Sequence, residues 1–128
     1  MLFVVESPGG SILYFYFNLQ MSIKTFNQKI WELTKKVPKG KVTTYKALAE
    51  AVGTKAYRAV GQAMRCNPYA PIVPCHRVVK SDGSIGGFAG SLNPNSKEVK
   101  RKIEMLRREG LYIKNNKIVN FEKVLMEL

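Results

Sequence analysis

The chain has 128 residues, with 21 Lys+Arg against 9 Asp+Glu and a formal net charge of +12. That length suits one domain with a modest core, and a field of that sign favours a polyanion, nucleic acid first. The two cysteines, Cys66 and Cys75, form neither a CxxC pair nor a disulfide framework. With a single histidine and no clustered carboxylates, no metal site is expected, and the cysteine usage reads as cytoplasmic.

Residues 2–5 and 12–17 are apolar, but Pro8-Gly9-Gly10 interrupts them and no basic residue precedes them. A signal peptide would need a positive start and an unbroken apolar run. A membrane span would need about 20 apolar residues. Ile12 to Phe17 is expected to form a short strand, so residues 1–21 are read as an N-terminal segment, the remnant of a larger unit. Met21 is an alternative start. The domain proper is expected over 22–128.

From residue 22 the pattern is helical. Thr25 and Gln28 have capping-box spacing, and Phe26, Ile30, Leu33 and Val37 follow on one face until Pro38-Lys39-Gly40 ends the helix. A second helix is expected after Thr43 or Thr44 as cap, with Leu48, Ala51 and Val52 in the core and Gly53 as its left-handed stop. Thr54 is expected to cap a third helix at once, with Ala56, Ala59, Val60, Ala63 and Met64 as its buried stripe. Two short helices around a tight glycine turn make a helix-turn-helix pattern. Its second helix would expose Lys55, Tyr57, Arg58, Gly61, Gln62 and Arg65, with small Ala59 and Gly61 letting the backbone approach a groove. Cys66 is read as small and partly buried.

Asn67 before Pro68 suits a turn fixed by its side chain. The run from Ser81 to Gly90 is glycine-rich and reads as a mobile lid with Phe88 at its centre, without the GxxxxGK[ST] pattern of a phosphate loop. A further helix is expected from Asn95-Ser96 to Glu109, with Val99, Ile103 and Leu106 inward. Lys97, Lys100, Arg101, Lys102, Arg107 and Arg108 are expected on its solvated face. Asn115-Asn116 would turn a hairpin between Leu111-Tyr112-Ile113 and Lys117-Ile118-Val119. A short amphipathic tail follows. The fold expected is mostly α with a small β component: a winged-helix-like, helix-turn-helix domain with a short N-terminal strand segment.

Pro74-Cys75-His76-Arg77-Val78 places one cysteine beside the only histidine. A thiol reacts as its thiolate, which a neighbouring histidine, arginine and helix ends favour. This string, with Gly40-Lys41-Val42-Thr43-Thr44-Tyr45, Tyr57 to Met64, Asn67-Pro68 and the run through Gly83, Gly86, Phe88, Gly90 and Arg108 to Leu111, resembles the catalytic domain of O6-alkylguanine-DNA alkyltransferases. The resemblance covers roughly residues 22–115.

It implies suicide repair without a cofactor: one alkyl group moves from O6 of guanine in double-stranded DNA to Cys75 and stays there. By similarity His76 takes the Cys75 proton through a water, Glu109 orients the imidazole, and Asn67 braces the turn that carries Cys75. The nucleotide must leave the stack. Arg58 would fill the gap, with Thr44, Ala59, Gly61, Gln62 and Arg65 also at the DNA. Tyr45 would hydrogen-bond the guanine edge, the Cys75 and Val78 backbones would read its amine, Phe88 would pack on the base, and the Ala89 amide would face O6. A monomer with no membrane partner is expected. Phe88, Ala89 and Ala70 stand where the family commonly has tyrosine, serine and, in some members, proline. The alternative reading is a protein that binds alkylated DNA without repairing it; the related alkyltransferase-like proteins carry tryptophan where this chain has Cys75.

Overall fold

A computed structural model describes residues 24–128, so the strand expected over 12–17 and the 1–21 segment lie outside the described residues. Helix α1 (Phe26–Lys35) opens on the expected capping box: the Thr25 hydroxyl accepts from the Gln28 amide at 3.1 Å, and Gln28 Oε1 accepts from the Thr25 amide at 2.9 Å. These two bonds satisfy donors that a helix start leaves unpaired. The helix buries Ile30 and Thr34, and Val37 follows it into the core.

Strand β1 (Thr43–Thr44) runs directly into α2 (Tyr45–Ala51), and the Thr44 hydroxyl caps it by accepting from the Ala47 amide at 2.9 Å. Leu48 and Ala49 are its buried residues; Ala51, expected inside, is exposed on the last turn, because Ala49 takes the inward position. Gly53 stops the helix at φ 80°. Helix α3 (Tyr57–Arg65) starts later than the sequence suggests. Thr54 does not cap it: its hydroxyl accepts from the Ala56 amide at 3.1 Å and fixes the turn instead. Ala56 therefore precedes the helix and is exposed, whereas Val60, Ala63 and Met64 form the buried stripe. The Trp31 indole donates to the Ala63 carbonyl at 2.8 Å and ties α1 to α3.

A loop then leads to a single 3-10 turn over Cys75–Arg77 and to strand β2 (Val78–Val79), which pairs in parallel with β1, Thr43 opposite Val78. This short ladder is the seam between two cores. Because successive strand residues face opposite ways, Val78 joins Ile30, Leu48, Val60 and Ala63, while Val79 joins Val42, Ile85, Val99, Leu106 and Ile113. The second core is closed by α4 (Lys97–Arg108), capped by Ser96, and by the hairpin β3 (Ile113–Lys114) and β4 (Lys117–Ile118). Asn115 and Asn116 turn that hairpin at φ 51° and 62°, the mirror-image turn that matches strand twist. Helix α5 (Phe121–Val124) brings the chain back to β1, where the Val42 amide donates to the Val124 carbonyl at 2.9 Å. The described residues are mostly helical with two two-stranded sheets, and α2–α3 followed by the hairpin wing gives the winged-helix-like arrangement.

Candidate functional site

The seam carries the site. Cys75 opens the 3-10 turn, partly buried against the first core, and its amide donates to the Val73 carbonyl at 2.9 Å. Asn67 holds the approach to it. Its Nδ2 donates to the Val73 carbonyl at 2.8 Å and its Oδ1 accepts from the Tyr69 amide at 2.9 Å, so one side chain pins both ends of the loop.

His76 points the other way, into the protein, where Nε2 meets Glu109 Oε2 at 2.9 Å. A carboxylate only accepts, so Nε2 carries the proton and Nδ1 is left as the acceptor. Arg77 grips the same carboxylate with two bonds, Nε to Oε1 at 2.9 Å and Nη2 to Oε2 at 2.7 Å, and donates Nη1 to the Val37 carbonyl at 2.7 Å. Burial pushes the His76 imidazole below its ordinary value, against the pull of Glu109 and with help from the charges of Arg77 and Lys102. Burial alone would raise the Glu109 carboxyl, but the hydrogen bonds and charges of Arg77 and His76 outweigh it and hold the group below its usual range. The result at neutral pH is a neutral, oriented imidazole on a charged support. Among the described residues no direct hydrogen bond joins His76 to the Cys75 sulfur.

Tyr45, the first residue of α2, packs against the same core as Cys75. Burial, with the Cys75 sulfur adding to it, pushes its hydroxyl up to about 12, so it stays a donor. Lys102 sits beside the ring, Nζ 5.9 Å from its centre. Expected in solvent, Lys102 is fully buried: Nζ donates to the carbonyls of Val78 (2.7 Å), Ile85 (2.7 Å) and Gly87 (3.0 Å). Three acceptors require three N–H, so the group bound there is the ammonium. Burial pushes it down to about 7, with the Cys75 sulfur pulling the other way.

The glycine-rich segment contains a tight two-residue turn. Phe88 and Ser91 exchange two backbone bonds of 2.9 Å around Ala89 and Gly90, at φ 50° and 85°. Phe88 packs on the second core, and Arg101 lies over its ring at 5.6 Å. Val78 offers its carbonyl to Lys102, which leaves one lone pair for a second donor.

On α3, Arg58, Gln62 and Arg65 are exposed and Ala59 and Gly61 half-buried. A Cβ on Gly61 would meet nothing within 4 Å, so that stretch of backbone is open to close approach. Thr44 is not on this surface: it is buried, and its hydroxyl is spent on capping α2. Cys66 is exposed rather than partly buried, because α3 ends one residue before it. Arg77, expected beside the thiol as a charge that favours the thiolate, instead clamps Glu109, and Lys102 is a residue of the site that the sequence reading does not single out. Lys102 had a signal: it stands three residues after Val99 and four before Leu106, on the inward stripe of α4.

A thiol on a turn beside a buried histidine, with a helix-turn-helix across the seam, defines the class: a helix-turn-helix domain with a cysteine at its junction. Comparison with known proteins is specific. Residues 25–111 match the family described as 6-O-methylguanine DNA methyltransferase, DNA binding domain, and the chain belongs to that family. It is 40% identical over 86 residues to the methylated-DNA–protein-cysteine methyltransferase of Methanosarcina barkeri, an alignment covering 66% of this chain and 54% of that protein. Mycobacterium tuberculosis OGT, solved in complex with DNA, matches with a TM-score of 0.57 and 36% identity, over 68% of this chain and 50% of that one. S. pombe Atl1, solved with damaged DNA containing O6-carboxymethylguanine, matches with a TM-score of 0.65 and 29% identity, over 83% of this chain and all of that one. The chain spans about half the length of the curated relatives it matches, or less. Among the described residues no helix is long and apolar enough to cross a membrane.

Proposed function

We propose that this protein reverses DNA alkylation directly, moving one alkyl group from O6 of a guanine in double-stranded DNA to Cys75, once per molecule. The observation that carries the reading is the junction at residues 75–77, where the thiol and the Glu109-supported imidazole leave the same turn. In the step itself the C–O6 bond breaks as the Cys75 Sγ–C bond forms, the guanine oxygen leaving with the electron pair. The Cys75 proton passes through a water to His76 Nδ1, the acceptor left free by the bond to Glu109. Tyr45, a donor up to about pH 12, offers its hydroxyl to the guanine edge.

The target atom lies within the stack, so the nucleotide must be extruded. Helix α3 supplies the docking face: the half-buried Ala59 and Gly61 admit a groove closely, Gln62 borders it, and Arg58 is long, planar and exposed enough to fill the vacated space. Asn67 maintains the turn, Phe88 backs the base, and the Ala89 amide faces O6. A reading without transfer, in which the protein binds alkylated DNA and marks it, is favoured by one observation: the match to Atl1 spans that entire chain. The Cys75 thiol weighs against it.

Intact-protein mass after incubation with a duplex carrying one O6-methylguanine decides between them. A single gain of about 14 Da, mapped to Cys75 and absent from Cys75→Ala, is the expected result. No gain, together with tight lesion-selective binding, establishes the marking role instead. Arg58→Ala should slow duplex repair far more than reaction with free O6-benzylguanine, which needs no extrusion; equal losses would remove Arg58 from the stack.

A further inference from the structure

Arg65, on the last turn of α3, belongs by its exposure to the docking face, yet it also touches the turn at Ala89–Gly90. A Cβ placed on Gly90 would lie 3.4 Å from Arg65 Nε and 3.8 Å from its Cζ, so the Arg65 side chain runs beside Gly90 on the face where a side chain would project. The turn needs such support. Ala89 holds φ 50°, a left-handed conformation that costs a residue with a Cβ about 1–2 kcal/mol. The two bonds between Phe88 and Ser91 use those residues' own amides. The amides of Ala89 and Gly90 are left with no protein partner among the described residues and remain available as donors. On the opposite flank the turn is fixed by Lys102, through Ile85 and Gly87, and by Arg101 over Phe88. Gly87 fits only as glycine, since a Cβ there would fall 2.7 Å from the Ser91 carbonyl oxygen. Arg65 is the contact that reaches the turn from the DNA-binding helix.

We propose that Arg65 is a positioning residue for the reaction: lying beside Gly90, it holds the Ala89–Gly90 turn so that the Ala89 amide is presented to the substrate oxygen. This rests on alkyl transfer at Cys75 as proposed above. It separates Arg65 from Arg58, which lies two turns away on the same helix and acts only where DNA is present. A planar guanidinium fills the space beside Gly90 in a way that a lysine ammonium on a flexible stem does not, so charge alone should not replace it. The arrangement also links the two halves of the task, because the helix that engages DNA is the one that braces the donor.

The test uses the full chain and the free base O6-benzylguanine, which makes no phosphate contact. Arg65→Ala and Arg65→Lys should each slow reaction with the free base about tenfold, the scale expected when a donor is misplaced rather than removed. Lys35→Ala, the loss of an exposed charge on α1, should leave the rate unchanged. Hydrogen exchange of the Phe88 and Ser91 amides, followed by NMR, should quicken in both Arg65 variants. Wild-type free-base rates and wild-type exchange in Arg65→Ala, with only duplex repair impaired, would reduce Arg65 to a DNA contact and overturn the proposal. If the wild-type protein itself transfers nothing, the alkyl-transfer reading fails and the positioning role fails with it; exchange then reports only whether Arg65 holds the turn.

Discussion

Glu109→Gln tests the support beneath the site. The carboxylate accepts three bonds, two from Arg77 and one from His76, and in the Arg77 pair the two side chains are only 12% and 11% exposed. The amide keeps the shape but has one acceptor where there were two, and its NH2 must face either a guanidinium or an imidazole N–H. Removing one member of a buried pair costs about 3–5 kcal/mol. Arg77 retains its bond to the Val37 carbonyl and some solvent, which places the loss near the lower end, about 3 kcal/mol. Over a domain of this size that is a fall in Tm of about 10–15 °C. Urea denaturation at neutral pH, with the slope compared as well as the midpoint, measures it. The imidazole also loses its orienting acceptor, so the rate with free O6-benzylguanine should fall in a sample verified as folded. A variant within about 0.5 kcal/mol of wild type, the range of ordinary surface changes, would show that the clamp carries no stability and refute the reasoning.

Acid should weaken the fold in two stages. His76 titrates below its ordinary 6.5 and Glu109 below 4.5, so the unfolded chain binds protons first as pH falls. Stability is therefore fully present above about 6.5 and declines below it, with a second decline under about 4.5 that Glu109→Gln should lack. Denaturation midpoints across that range are the check, and a stability that holds constant or rises on acidification contradicts it. Asn67→Ala frees both ends of the loop before Cys75; the Tyr69 amide is exposed and finds water, so the loss is the net worth of the two bonds, about 1–2 kcal/mol. Its reaction with the free base should slow as well; an unchanged rate would mean that the loop holds Cys75 without Asn67.

The features legible in advance are those with local causes. The capping box, the stop at Gly53, the Asn-Asn hairpin and the Ser96–Glu109 helix depend on residues within a few positions of one another, and each formed as its spacing implied. Thr54 and Ala56 misled because α3 starts after a turn that hydrogen bonds of a single hydroxyl decide. Thr44 serves as the cap that its position before a helix implies, and that use of its hydroxyl competes with the place at the DNA that the resemblance implies. Lys102 was given to solvent on its residue type, against its place in the apolar stripe, because a buried lysine requires acceptors that only tertiary structure supplies: carbonyls 15 to 24 residues away. The contacts of the glycine-rich run with Arg65, Arg101 and Lys102 are non-local in the same way.

The seam also sets an order of events for a chain leaving the ribosome. The first core draws almost wholly on residues 26–64, and all three helices of that unit can pack once β2 has appeared to supply Val78. The partner of His76 comes 33 residues later, and the backbone partners of Val42 lie at Val124 and Met126. Non-local contacts of this kind close late. A nascent chain can therefore pack α3 against α1 and α2 well before Glu109 is available to orient His76.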